Sequence, residues 1–238
     1  MAPPSRHGMM NPRILQPLCL LGAALVLLCF ISGHAHSEDA AGCHCFRNRS
    51  YDPGDKFAVD DYLRATAVNS LVSRYFGVSK RDIVMMRMNG VPLEELLTAF
   101  YIGKAGRMDH REILKLRSAS LPWAEVVIRA GLDPESVEPG FGRILDRGDR
   151  HVVEHLEDAT LAYFFSTEPA EIIELRMLGL DNVRDRVLAL GLARKLGLSS
   201  RNLARALKEE NRSWGEIAAG AGLVPEHMGS YIESLGQG

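Results

Sequence analysis

The sequence predicts an all-α chain in which a unit of about five short helices occurs twice in tandem behind a leader. Three observations predict it. Apolar residues recur at helical spacing, as in Leu93, Leu96, Leu97 and Phe100, while period-two alternation never persists. Helix starts and stops are signalled at short intervals by capping residues and glycines. The chain also repeats itself: Trp123-Ala-Glu125-Val through Gly131-Leu132 and Pro134-Glu135 reads again 91 positions later as Trp214-Gly-Glu216-Ile through Gly222-Leu223 and Pro225-Glu226. Gly106 and Gly197 keep the offset of 91, whereas Phe76/Phe165, Ile83/Ile172, Arg87/Arg176, Met88/Met177 and Gly90/Gly179 are 89 apart. A two-residue length difference is therefore expected between Gly90 and Gly106.

The elements follow in order. Arg6 and Arg13 precede the uncharged apolar stretch Ile14 to Ile31, and small residues around Ala35 and Ser37 follow it. That order is a secretory signal peptide over residues 1–37, cleaved after Ala35 or Ser37. An uncleaved leader would anchor the protein, and on either reading the rest of the chain lies outside the cytoplasm. Residues 38–58 form an irregular lead-in with a turn at Asp52-Pro53-Gly54-Asp55. The first helical unit spans 59–148. Ser79-x-x-Asp82 opens a helix, Pro92 starts the next, and Asp109-x-x-Glu112 opens another. Pro134 to Gly148 reads as the bridge to the second unit, 149–238. There Ser213-x-x-Glu216 is a capping box before the second Trp helix. Gly90, Gly106, Gly131, Gly179, Gly197 and Gly222 stand where helices should stop. Trp123, Val126, Val127 and Ala130 share one face, as do Trp214, Ile217, Ala218 and Ala221, and both stripes read as core.

Charge and cysteine content narrow the function classes. Without Arg6 and Arg13, 26 of the 28 Lys and Arg residues remain against 30 acidic ones, which gives no electrostatic reason to expect nucleic acid. Cys19 and Cys29 leave with the leader, so only Cys43 and Cys45 persist and no disulfide framework is available. No glycine-rich phosphate loop and no Gly-x-Ser-x-Gly elbow occurs. Asn48-Arg-Ser50 and Asn211-Arg-Ser213 have the form of glycosylation sequons, but leader and composition are of bacterial type.

Three short runs carry candidate chemistry. Cys43-His44-Cys45 places soft and borderline ligands in consecutive positions after the leader, a set that suits zinc or copper but is short of four ligands. In an oxidising compartment a disulfide, within the chain or to a partner, is the competing reading. His151-Val-Val-Glu154-His155 puts two histidines on one helix face with a carboxylate beside them. It resembles the H-x-x-E-H motif of inverzincin metalloproteases, which implies a zinc hydrolase with a further acidic ligand such as Glu209 or Glu210. Two solvent-facing histidines on a charged helix are the plainer reading. The second Trp helix and the segment Pro225 to Leu235 resemble a helix-turn-helix DNA reader. That segment has no Arg or Lys to reach phosphates or bases, so no nucleic acid partner is expected.

With its Cys43-His44-Cys45 run and its two units ending Trp-x-Glu-(Ile/Val)-x-x-x-x-Gly-Leu, the chain resembles uncharacterised exported helical proteins of bacteria. The resemblance implies a periplasmic location and no established activity. The reading that follows is an exported, non-enzymatic binding or scaffolding protein whose partner is a protein or a small ligand. Its only membrane contact would be an uncleaved leader. The alternative is a metal- or redox-handling protein working through Cys43, His44 and Cys45, and a zinc hydrolase using His151, Glu154 and His155 comes third.

Overall fold

In the computed structural model, which describes Phe46 and residues 48–236, thirteen α-helices and two short 3-10 turns follow one another with no strand among the described residues. The leader and the Cys43-His44-Cys45 run lie outside them. The helices are α1 (Asp60–Phe76), α2 (Lys80–Met88), α3 (Leu93–Gly106), α4 (His110–Arg117), α5 (Trp123–Arg129), α6 (Pro134–Val137) and α7 (Phe141–Leu145). Then come α8 (Asp149–Phe165), α9 (Pro169–Met177), α10 (Val183–Leu196), α11 (Ser200–Glu209), α12 (Trp214–Gly220) and α13 (Met228–Leu235). The chain is all-α, as its periodicity requires. Five helices, α1–α5, precede the Pro134–Gly148 bridge, and the bridge itself folds into the short helices α6 and α7.

Local chemistry sets the helix ends. Ser79 Oγ accepts from Asp82 N at 3.1 Å, Asp109 Oδ1 from Arg111 N at 2.8 Å and Ser213 Oγ from Glu216 N at 3.0 Å, each satisfying an amide that lacks a partner in the first turn. Gly90, Gly131, Gly179, Gly197 and Gly222 all lie just beyond helices with positive φ. Gly106 does not. It is the last residue of α3, and the left-handed position falls on Arg107, φ 54°. A Cβ at Gly106 would lie 2.5 Å from Leu132 Cδ2, so the glycine lets the Leu132 side chain pack closely against the helix.

Helix lengths recur along the chain. α1 and α8 both have 17 residues, α2 and α9 have 9, α3 and α10 have 14, and α5 and α12 have 7. Their starts are 89, 89, 90 and 91 residues apart. The structural counterpart of the Gly197 cap is therefore Arg107, and the second of the two extra residues is taken up in α11, which is longer than α4, rather than before Gly197.

The packing crosses between the two halves. α1 packs on α10, α12 and α13, while its counterpart α8 packs on α3, α5 and α7. Each long helix thus covers the far half's Trp helix. The buried carboxylate of Asp60, in the first turn of α1, accepts from Trp214 N at 3.1 Å and Gly215 N at 2.9 Å. Asp149, in the first turn of α8, accepts from Trp123 N at 2.8 Å. The contact at α12 is close enough that a Cβ on Gly215 would meet Val59 Cγ1 at 2.5 Å. The cores follow this exchange. One draws on α1–α3 and α8–α13, and the other on α3–α8, so residues on both sides of position 148 share each core. Trp123 and Trp214 are buried at their centres, and Ile83 and Ile172 are buried alike.

Candidate functional site

A cleft of about 420 Å³ opens between α7 and α8, lined by Pro139, Gly140, Arg143, Ile144, Arg147 and His155. The sequence of α7 explains what faces it. Phe141 and Leu145, four apart, are buried and anchor the short helix in the second core. Arg143 and Arg147, also four apart but out of phase with that pair, are turned outward. The chain enters α7 through Gly140, whose φ of +79° is costly for other residues. Its amide donates to Glu135 Oε2 at 2.9 Å. A Cβ there would also lie 2.9 Å from Arg143 Nη2, so the guanidinium rests where a larger residue would stand.

The opposite wall is His155 of α8. Its Nε2 meets Glu138 Oε2 at 3.0 Å, and the Tyr101 hydroxyl donates to the same oxygen at 3.5 Å. The hydrogen bond to the Glu138 carboxylate raises the His155 pKa above its ordinary value, against the opposing effect of burial; Asp158 adds to the rise. Burial, and then the neighbouring carboxylate, push the Tyr101 phenol far upward, so it stays a donor. Neither Arg143 nor Arg147 has a carboxylate partner among the described residues, and no carboxylate lines the cleft. Two guanidinium groups and an imidazole whose pKa is raised therefore line a partly apolar surface, with Glu138 standing behind the imidazole.

The three residues of the H-x-x-E-H run do not converge. His151 is exposed and its Nδ1 lies 3.0 Å from the Arg147 carbonyl oxygen. Glu154 is engaged by Arg150 at 2.8 Å and Arg176 at 3.7 Å, and the two arginines hold its carboxyl below the usual range, the Arg150 hydrogen bond most. His155 turns to Glu138. Among the described residues no group of three His, Cys, Asp or Glu side chains is arranged to hold a metal ion. Glu209 and Glu210 are exposed at the end of α11. Of the sequence-derived candidates among the described residues, only His155 lines the cleft, and it does so beside two arginines. Arg143, Arg147, Glu138 and Tyr101 were not singled out by motif. The signal for the arginines was their i, i+4 spacing out of phase with Phe141 and Leu145.

The segment from Pro225 that resembles a DNA-reading helix starts with a 3-10 turn, Pro225–His227, and α13 then buries Met228, Gly229 and Ile232. α13 packs on α1, so its apolar face is taken.

A second cleft, about 370 Å³, lies at the α12 start and includes Asp60, Asp61, Arg64, Asp185, Lys208 and Trp214 among its lining residues. Its polar groups are mostly engaged with one another. Asp185 Oδ1 accepts from Arg64 Nε at 2.7 Å and from Trp214 Nε1 at 2.6 Å. A related cluster caps the other Trp helix: Arg117 forks Glu95 at 2.7 and 2.8 Å, reaches Asp149 at 2.8 Å and lies over the Trp123 ring at 4.9 Å. Two such clusters, one at each Trp helix, fit a structural lock better than a ligand site.

No protein-family model matches the chain, and no curated protein or solved structure matches it either. Among the described residues no helix is long and apolar enough to cross a membrane.

Proposed function

We propose that this is an exported helical binding protein that takes its partner at the α7–α8 cleft and performs no chemistry on it. The observation that carries the reading is that Arg143, Arg147 and His155 line one cleft of a closely packed helical body and no carboxylate lines it. Such a body holds a recognition surface rigidly, which lowers the ordering cost of binding. The duplicated sequence blocks, the recurring helix lengths and the crossed packing support descent from a doubled unit. Export rests on the order of charge, apolar stretch and small residues at the N-terminus. Metal or redox handling by Cys43-His44-Cys45 is a separate proposal, tested by metal analysis of the purified protein.

Two measurements test the main reading. Intact mass of the fractionated product is expected to give a start at His36 or Glu38 outside the cytoplasm, and a full-length cytoplasmic product would sink export. A thermal-shift panel of anionic, neutral and cationic small molecules is expected to raise the melting temperature for at least one class, with loss of the effect in Arg147→Ala. Stabilisation by none of them, or stabilisation indifferent to Arg147, overturns the binding role of the cleft.

A further inference from the structure

We propose that the α7–α8 cleft is a site for a small, multiply charged organic oxyanion, clamped between the guanidinium groups of Arg143 and Arg147 and the imidazole of His155. The inference rests on the binding role above and specifies its ligand class. Guanidinium forks match carboxylate and phosphate oxygens in two-point fashion, and they are more weakly hydrated than ammonium groups. Here two of them stand on one wall without an acidic partner among the described residues. An unpaired cluster of like charges is mutually repulsive, and a ligand bearing two or more negative charges relieves that repulsion.

The remaining groups add direction and size. His155 spends Nε2 on Glu138, and that bond fixes the ring plane. Its Nδ1 has no hydrogen-bond partner among the described residues and is the second donor of the imidazolium. Tyr101, donating to the same Glu138 oxygen, holds the carboxylate in place behind the ring. About 420 Å³ exceeds what a bare inorganic anion fills and lies in the range of small-molecule sites. Ile144 and Pro139 offer apolar surface for a short carbon skeleton. Ligands of this chemistry are di- or tricarboxylates and phosphate esters, which share the paired oxyanion geometry.

Titration calorimetry of the full exported chain tests it with citrate as the polycarboxylate and glycerol 2-phosphate as the phosphate ester. Sodium chloride at matched ionic strength and choline serve as controls. Submillimolar binding of at least one oxyanion is expected, and which one binds assigns the source. The Arg143→Ala/Arg147→Ala double variant is expected to weaken binding at least tenfold. Both side chains are exposed, so its ligand-free melting curve should match the parent's, which separates loss of site from loss of fold. Affinity should fall as pH rises through the His155 transition, and His155→Gln should flatten that dependence. The charged and titratable groups around this ring are Glu138, Asp158, Arg143, Arg147 and, through Glu138, Tyr101. Binding of neither oxyanion beyond the chloride control overturns the proposal, as does undiminished binding by the double variant. If the thermal-shift panel shows Arg147-dependent stabilisation only by neutral or cationic compounds, the binding role stands and the ligand class fails.

Discussion

Arg186 is fully buried and donates through Nη2 to Glu157 at 2.7 Å, while its Nε and Nη1 find no hydrogen-bond partner among the described residues. Burial pushes the Glu157 carboxyl up to about 7 from 4.5, although Arg186 works in the opposite direction. Between those two values the folded chain holds a proton that the unfolded chain releases. Stability is therefore highest below pH 4.5 for this group, falls as pH rises toward 7 and levels beyond it. The full loss is on the order of 3 kcal/mol. His155, whose pKa is also raised, adds to the same downward slope near neutrality. Melting temperature measured from pH 5 to pH 8 should fall, and Glu157→Gln should make the fall shallower. An equal slope in the variant would place the titration elsewhere. The pair was not legible in sequence, because Glu157 and Arg186 lie on different helices, 29 positions apart. Nothing in either local pattern marks a charge as buried.

At the scale of helices, legibility divided by range. The Ser79, Asp109 and Ser213 caps were readable because donor and acceptor lie two or three residues apart. The caps that Asp60 and Asp149 give to the Trp helices were not, since Asp60 reaches across 154 residues and Asp149 across 26. Gly106 does end its helix, but the left-handed position falls one residue later, on Arg107, which no local signal marks. The Trp stripes were read correctly as core, because a 3.6-residue apolar period reports burial whatever the partner helix is. Asp60→Ala and Asp149→Ala should each cost about 1–2 kcal/mol, the usual range for a lost N-terminal cap. Asp60 should be the more damaging, since its two oxygens hold two backbone amides in a buried setting. Urea midpoints at constant slope measure both losses, and a cost near zero for Asp60→Ala would remove the cross-half cap from the account.

For the whole molecule, the matching blocks were visible in sequence but the packing of the two halves was not. Matching residues predict matching helices, and they are silent on which half's long helix covers which half's Trp. The structure places α1 over α12 and α8 over α5, so each half lacks part of its own core. The candidate cleft stands on this arrangement, since Arg143 and Arg147 come from before position 148 and His155 from after it. The candidate site was legible only through His155, because a cleft of cations forms from neighbouring elements and has no contiguous motif. The central structural claim is that residues 59–148 and 149–236 fold as one cooperative unit. Each half contains one tryptophan, Trp123 or Trp214, so the claim has a direct test in Trp123→Phe and Trp214→Phe single variants of the full chain. Urea unfolding is followed in each by fluorescence of the remaining tryptophan and by far-ultraviolet circular dichroism. Within each variant one transition is expected, with coincident midpoints from the two probes. A biphasic dichroism curve, with fluorescence tracking a different phase in each variant, would show two independent halves and contradict it.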